Sequence, residues 1–240
     1  GRFLRRQKFN GGNFDFQKKD FISIDFTGKT KDGDVFDSTL KEDLEKLHPG
    51  HNHPVEAKPF VFCLGEGMFL KSLEDFLVGK DIGEYEIELK PEDAFGKRDQ
   101  RLVQTIPTKF FREQKINPVP GALFNFDGTI GKILAVSGGR VIVDFNNPLA
   151  GKTVVYKIDV KRKVTDINEK IKALNEFLFK KDLEFAVEGK KLILKAEKNM
   201  KRFVELFADK FKDILDLDLE VREKPEKEET EETHPSVAEL

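Results

Sequence analysis

Three of the chain's four histidines crowd into one short loop, His48, His51 and His53 in HPGHNH, and imidazoles so placed can chelate zinc or nickel. Their spacing matches no structural zinc pattern, and the single cysteine, Cys63, cannot complete one. They are therefore weak metal candidates in what reads as a solvated loop, and no cofactor is expected. Cys63 lies inside the apolar run PFVFCLG and reads as an inert core thiol rather than a nucleophile. Gly65-Glu66-Gly67 lacks the third glycine of a dinucleotide fingerprint. Gly128-Thr129-Ile130-Gly131-Lys132 lacks the spacing and the hydroxyl residue of a phosphate loop, and reads as a hairpin turn. What stands out is phenylalanine, present 23 times against two tyrosines and no tryptophan. Phe26, Phe36, Phe60, Phe62, Phe69, Phe76 and Phe95 all precede residue 97, and Asp37 directly follows Phe36. These residues suit either a Phe-rich core or a concave aromatic pocket with one ionisable group. Composition leaves both open.

The elements that must position such residues can be read from periodicity. FISIDFTG alternates as a strand, turns at Asp32-Gly33 and returns as a second strand. LEKLHPGHNHPVEAKP (44–59) reads as a Pro-punctuated loop, PFVFCLG as a strand and EYEIELK (84–90) as another. Phe69, Leu70, Leu73, Phe76 and Leu77 recur at helical spacing before Gly79. Further on, TIPTKFF predicts one helical turn, and GALFNFDGTIGKILAVSGGRVIVDFN predicts three strands hinged at Asp127-Gly128 and Gly138-Gly139. GKTVVYKIDVKR (151–162) predicts one more strand. From about 165 to 224 the pattern is αββαβ: a helix with Ile167, Ile171, Leu174, Phe177 and Leu178 on one face, capped by Asp166 and Glu169; a hairpin; a helix carrying Phe203, Leu206, Phe207, Phe211 and Ile214; and a last strand.

Whole-chain composition excludes several classes. Forty-two basic and 44 acidic residues leave a net charge of -2, without the basic excess of a nucleic-acid binder. No apolar run approaches the ~20 residues that span a bilayer. The basic start GRFLRRQKFNGGNF has no apolar segment and does not read as a secretory signal. It begins without Met, so residues 1–16 are left out of the fold expectation. A cytoplasmic protein, binding neither membrane nor nucleic acid, is expected. Charged residues at 36%, with one Cys and two Met, match a heat-adapted profile. The acidic stretch 225–240 lacks aromatics and is expected to be disordered.

Motif order separates pocket from core. IDFTGKTKDGDVFDS (24–38), PFVFCLGEGMFLKSLEDFLVG (59–79) and PEDAFG (91–96), in that sequence, resemble the FKBP-type peptidyl-prolyl cis-trans isomerases. Each motif alone is weak, and the three together are specific. The roughly 50 residues between PEDAFG and NNPLAGKTVVYKI look like the insert-in-flap chaperone module of SlyD-type members. The extra C-terminal unit resembles that of long-chain archaeal members. The resemblance implies an α+β protein, with an antiparallel half-barrel sheet wrapped on a short helix (17–97 and 148–164). An inserted, mostly-β chaperone domain (98–147) and a C-terminal α+β domain (165–224) complete it. It implies a prolyl isomerase pocket at Phe26, Phe36, Asp37, Phe60, Phe69, Leu70, Leu73, Phe95 and Tyr156, with Leu149 as a further wall residue. The insert is apolar for its length, and Ile106, Phe110, Phe111, Leu123, Phe124, Ile133, Leu134 and Val141 are candidate client-binding residues. The implied partners are unfolded or partly folded proteins and proline-containing peptides. The apolar stripes of the C-terminal helices can pack internally, onto the isomerase domain or onto a second copy; internal packing is the default expectation and a homodimer ranks second. Phe26 and Phe95 stand where many members carry tyrosine. This keeps open an alternative, a holdase chaperone with minor or vestigial isomerase activity.

Overall fold

The longest apolar alternations pair with each other to build the first sheet. A computed structural model describes residues 15–47 and 56–225. In it β1 (Phe21–Thr30) lies antiparallel to β9 (Val154–Val164), which pairs in turn with β4 (Gly83–Leu89). The other edge of β1 is shared: β2 (Val35–Ser38) takes its second half and β3 (Phe60–Cys63) its first. The inward rows, Ile22, Ile24 and Phe26 on β1 and Val154, Tyr156, Ile158 and Val160 on β9, are buried together with Leu73 and Leu77 of the short helix α2 (Lys71–Leu77). An antiparallel sheet closed on one face by a short helix is what period-2 patterning demands when only alternate residues are apolar.

Between β2 and β3 the expected loop contains a helix, α1 (Lys41–Leu47). The Ser38 hydroxyl accepts the Leu40 N–H at 3.0 Å, Glu42 and Asp43 sit in the favourable first turn, and Leu44 is its one buried anchor. A helix with one apolar contact leaves almost no periodic signal. His48, His51 and His53 lie outside the described residues.

The insert forms its own antiparallel sheet in the order β5-β8-β7-β6, from β5 (Val103–Pro107), β6 (Leu123–Phe126), β7 (Thr129–Ser137) and β8 (Arg140–Asp144), with α3 (Thr108–Glu113) across it. Asp127 and Gly128 both take positive φ, 49° and 90°, as a tight β6–β7 hairpin requires. β5 showed no alternation in the sequence; its strand geometry comes from pairing with β8. Phe111, Ile133, Val141 and Val143 are fully buried and make a core separate from that of the first sheet.

The remaining residues form α4 (Ile167–Phe179), β10 (Phe185–Glu188), β11 (Lys191–Ala196), α5 (Lys201–Glu205), α6 (Ala208–Leu215) and β12 (Asp218–Glu223), with β11 antiparallel to β10 and parallel to β12. Asp166 caps α4 by accepting the Glu169 N–H at 3.1 Å. The Glu169 carboxylate does not return to close a capping box; it pairs with Arg162 at 2.6 Å. The expected second helix is two, because Leu206 and Phe207 switch to i→i+3 hydrogen bonds. Phe203 and Leu206, two of the apolar residues assigned to that helix, are consequently 46% and 78% exposed, while Val204 and Phe211 are buried. This unit shares one apolar core with the first sheet. α4 packs on β3, the Lys170 ammonium lies 5.5 Å from the Phe21 ring centroid, and Lys19–Asp213 and Lys210–Glu66 pair across the boundary. Among the described residues no helix is long and apolar enough to cross a membrane.

Candidate active site

Strand pairing and the turns beside α2 bring six aromatic rings from separate stretches of sequence together, with the buried Phe62 against Phe60 and Phe69 as a seventh. β2 is locked to β1 by the Thr27 and Ser38 hydroxyls, 2.8 Å apart, and by the Ser38 hydroxyl donating to the Phe26 carbonyl at 3.1 Å. That lock sets Asp37 opposite Gly28 and projects Phe36 beside Tyr156 of β9, ring centroids 5.6 Å apart. Phe36 also meets Phe95 edge-on at 5.5 Å. Phe95 follows the 3-10 turn Pro91–Asp93, which the Ser72 hydroxyl ties to α2 by donating to the Asp93 carbonyl at 2.7 Å. Phe69, just before α2, lies 5.0 Å from Phe26, 5.7 Å from Phe60 and 5.8 Å from Tyr156. Such tilted and edge-on contacts are the favourable aromatic geometries.

The cluster has a buried layer and an accessible one. Phe26, Leu73 and Tyr156 are buried; Phe36, Phe60, Phe69, Leu70 and Phe95 are half-buried, and Asp37 is exposed at the rim. The surrounding rings desolvate the Asp37 carboxyl and raise its pKa, against the Ser38 N–H, which favours the anion. Burial raises the Tyr156 pKa, and the Asp37 charge adds to the shift, so the two groups sense each other. The Leu70 carbonyl starts α2 by accepting the N–H groups of Leu73 and Glu74, and among the described residues no acceptor takes the Leu70 N–H. Cys63 stays apart from this chemistry, its thiol pushed up to about 12 by burial.

Two residues that sequence reasoning left without a role shape the site. A Cβ on Gly28 would lie 2.7 Å from the Phe36 ring and 2.9 Å from the Tyr156 ring, so only glycine lets both rings lie against β1. Glu74, 2% exposed, accepts the Gly65 N–H at 3.0 Å and so braces the turn that carries Phe69 and Leu70. Desolvation raises its pKa, opposed by the amides of Gly65, Phe69, Glu66 and Gly67. Both stood inside quoted motifs, but nothing singled out Glu74, because one acidic residue in an amphipathic helix reads as surface.

The insert candidates divide by burial. Phe111, Ile133 and Val141, expected to meet clients, have no exposed surface; with Val143 they hold sheet to helix, because a unit of about 50 residues has no other core to draw on. Ile106 and Phe124 are half-buried against that core. Phe110, Leu123 and Leu134 are exposed, and Ile130, Val136 and Ile142 join them.

Comparison with known proteins places this geometry. Residues 12–111 match the model of the FKBP-type peptidyl-prolyl cis-trans isomerases, and residues 104–149 match that of the FKBP26 IF domain. The short-type peptidyl-prolyl cis-trans isomerase of Methanocaldococcus jannaschii is 32% identical over 146 residues, covering 60% of this chain and 92% of that protein. The chain belongs to the FKBP-type peptidyl-prolyl cis-trans isomerase family. Like other FKBP-type enzymes it is thus a prolyl isomerase, with an insert-in-flap domain. The FKBP-type 16 kDa isomerase of Escherichia coli (strain K12) is 31% identical over 150 residues, covering 91% of its length. The FKBP-type isomerase SlyD of Aeromonas hydrophila is 28% identical over 145 residues, and the match spans only 60% of it.

Proposed function

We propose that this FKBP-type enzyme accelerates proline-limited folding of client proteins, holding unfolded chain on its insert and twisting X–Pro bonds over the aromatic cluster. The convergence of six rings with a half-exposed layer beside Asp37 carries this reading. The domains it assigns are 17–97 with 148–164, 98–147 and 165–224.

Amide resonance opposes rotation with a barrier of ~18–20 kcal/mol. The twisted state has lost resonance and carries less charge separation than the planar imide, so an apolar surface that excludes water favours it. No nucleophile or base is needed. A hundredfold acceleration requires only ~2.7 kcal/mol of such preference. In this reading Phe26, Phe36, Phe60, Phe69, Phe95 and Tyr156 supply shape and desolvation, and the Leu70 N–H donates to a substrate carbonyl. Asp37 sets the local field. Leu73, having no exposed surface, acts by supporting the rings above it.

The insert's separate core supports a separate role, and its ends already meet: the Phe145 N–H donates to the Leu102 carbonyl at 2.9 Å. Deleting 101–147 is expected to spare turnover of a short proline peptide, followed by a protease-free assay, and to abolish acceleration of proline-limited protein refolding. Equal loss in both assays would refute the division of labour. Unchanged peptide turnover in Asp37→Ala and Leu73→Ala would refute the pocket.

A further inference from the structure

The insert's outer face does not simply look into solvent. Leu123 of β6 and Ile130 and Leu134 of β7 are 60%, 52% and 40% exposed, and they form one wall of a cleft of about 430 Å³. Most of the rest of the lining comes from the pair of segments joining insert to isomerase, Arg98 with residues 146–148 and 150–152. These segments are tied to each other: the Gly151 N–H donates to the Gly96 carbonyl at 2.7 Å, and a Cβ on Gly151 would stand 3.0 Å from Arg98 Cγ. The cleft's volume falls in the ~300–1,000 Å³ range of ligand pockets.

Its charge is one-sided. Arg98, Lys132 and Lys152 line it against a single carboxylate, Asp144. Asp144 is already engaged, by Arg98 at 2.6 Å and by the Asn146 side chain at 2.8 Å. Lys132 stands opposite Asp144 in the β7–β8 register and helps hold its carboxyl below the usual range, but among the described residues neither Lys132 nor Lys152 makes a direct ion pair, although lysines elsewhere on the surface pair repeatedly. The chain as a whole carries a net charge of -2, so the cleft's cationic balance runs against that of the whole molecule. β6 is an outermost strand of its sheet, so its free edge offers backbone N–H and C=O groups to an incoming strand.

We infer that this cleft is a docking site for extended, proline-independent peptide segments in which apolar side chains are flanked by Asp or Glu. The apolar residues lie on Leu123, Ile130 and Leu134, and the carboxylates reach Lys132 and Lys152. The inference rests on the client-holding role proposed for the insert and narrows its partner to acidic–apolar chain. An occupant here touches the insert and both connecting segments at once, which fixes the insert relative to the isomerase sheet while client is bound.

Fluorescence anisotropy of the full chain with three labelled, proline-free 12-residue peptides tests it, each with the same Leu/Phe centre and flanked by Glu, Gln or Lys. The Glu-flanked peptide is expected to bind about threefold to tenfold more tightly than the Lys-flanked one at low ionic strength, as for two solvent-screened ion pairs. The preference should shrink at high salt and invert in the K132E/K152E double variant, whose fold is checked by its thermal melt. Equal affinity for the three peptides, or a preference untouched by the double substitution, would overturn the inference while leaving client binding standing. Absence of binding by any peptide would overturn client binding itself. A dimer of the full chain dissolved by K132E/K152E would overturn it as well, giving the cleft to a second copy.

Discussion

Gly28 and Glu74 govern the active site without offering it a functional group. At Gly28 a methyl would collide with two rings, and of the two only Phe36 has free surface to move into. Gly28→Ala is therefore expected to displace Phe36, lowering kcat/KM on a proline tetrapeptide roughly tenfold, ~1.4 kcal/mol of transition-state stabilisation. Overpacking should remove about 1–3 kcal/mol of stability, read from urea unfolding. At Glu74 the sign follows from burial. Its folded pKa is raised above the unfolded value, so the folded state holds the proton more tightly. Stability linked to it is complete below the unfolded carboxylate pKa and falls as pH rises through the folded one. Glu74→Gln keeps an acceptor for the Gly65 N–H and removes the titration. Urea midpoints between pH 4 and 7 should decline less in the variant than in the wild type, and equal slopes would refute the assignment.

Elements show where patterning speaks and where it is silent. β1 and β9 were legible because alternation over ten residues has one interpretation. β5 and α1 were not, since each owes its geometry to a single neighbour: β8 for the first, the Leu44 anchor for the second. α4 was legible by its apolar face, yet that face includes Asn175, fully buried with neither amide atom hydrogen-bonded. An unsatisfied buried amide costs about 1–3 kcal/mol. Asn175→Leu is accordingly expected to raise stability by about 1–2 kcal/mol, measured by equilibrium unfolding. A loss would mean that the amide is satisfied by water.

At the scale of the whole molecule two cores coexist. One runs from Phe16 through the isomerase sheet into Phe211 of the C-terminal unit, and the other belongs to the insert alone. The C-terminal unit is thus covered on its isomerase side, and the apolar surface left to it for pairing is the knuckle at Phe203 and Leu206. A homodimer through this unit would have to use that knuckle, and sedimentation of the full chain against Leu206→Lys tests it. A monomer in both cases would refute pairing through this unit.

Sequence alone determined most of the α+β elements, though not β5, α1 or the break between α5 and α6, together with the family, the membership of the aromatic cluster and the likeness of the inserted module, since periodicity and motif order are properties of a single strand of text. Tertiary structure decided which apolar residues of the insert are core and which are surface, because burial depends on what arrives on the other face. It also decided that Gly28 must be glycine, that Glu74 braces a turn nine residues back, and that three cations meet three aliphatic side chains in one cleft. Those facts are distances between residues far apart in the chain, and no local pattern encodes them.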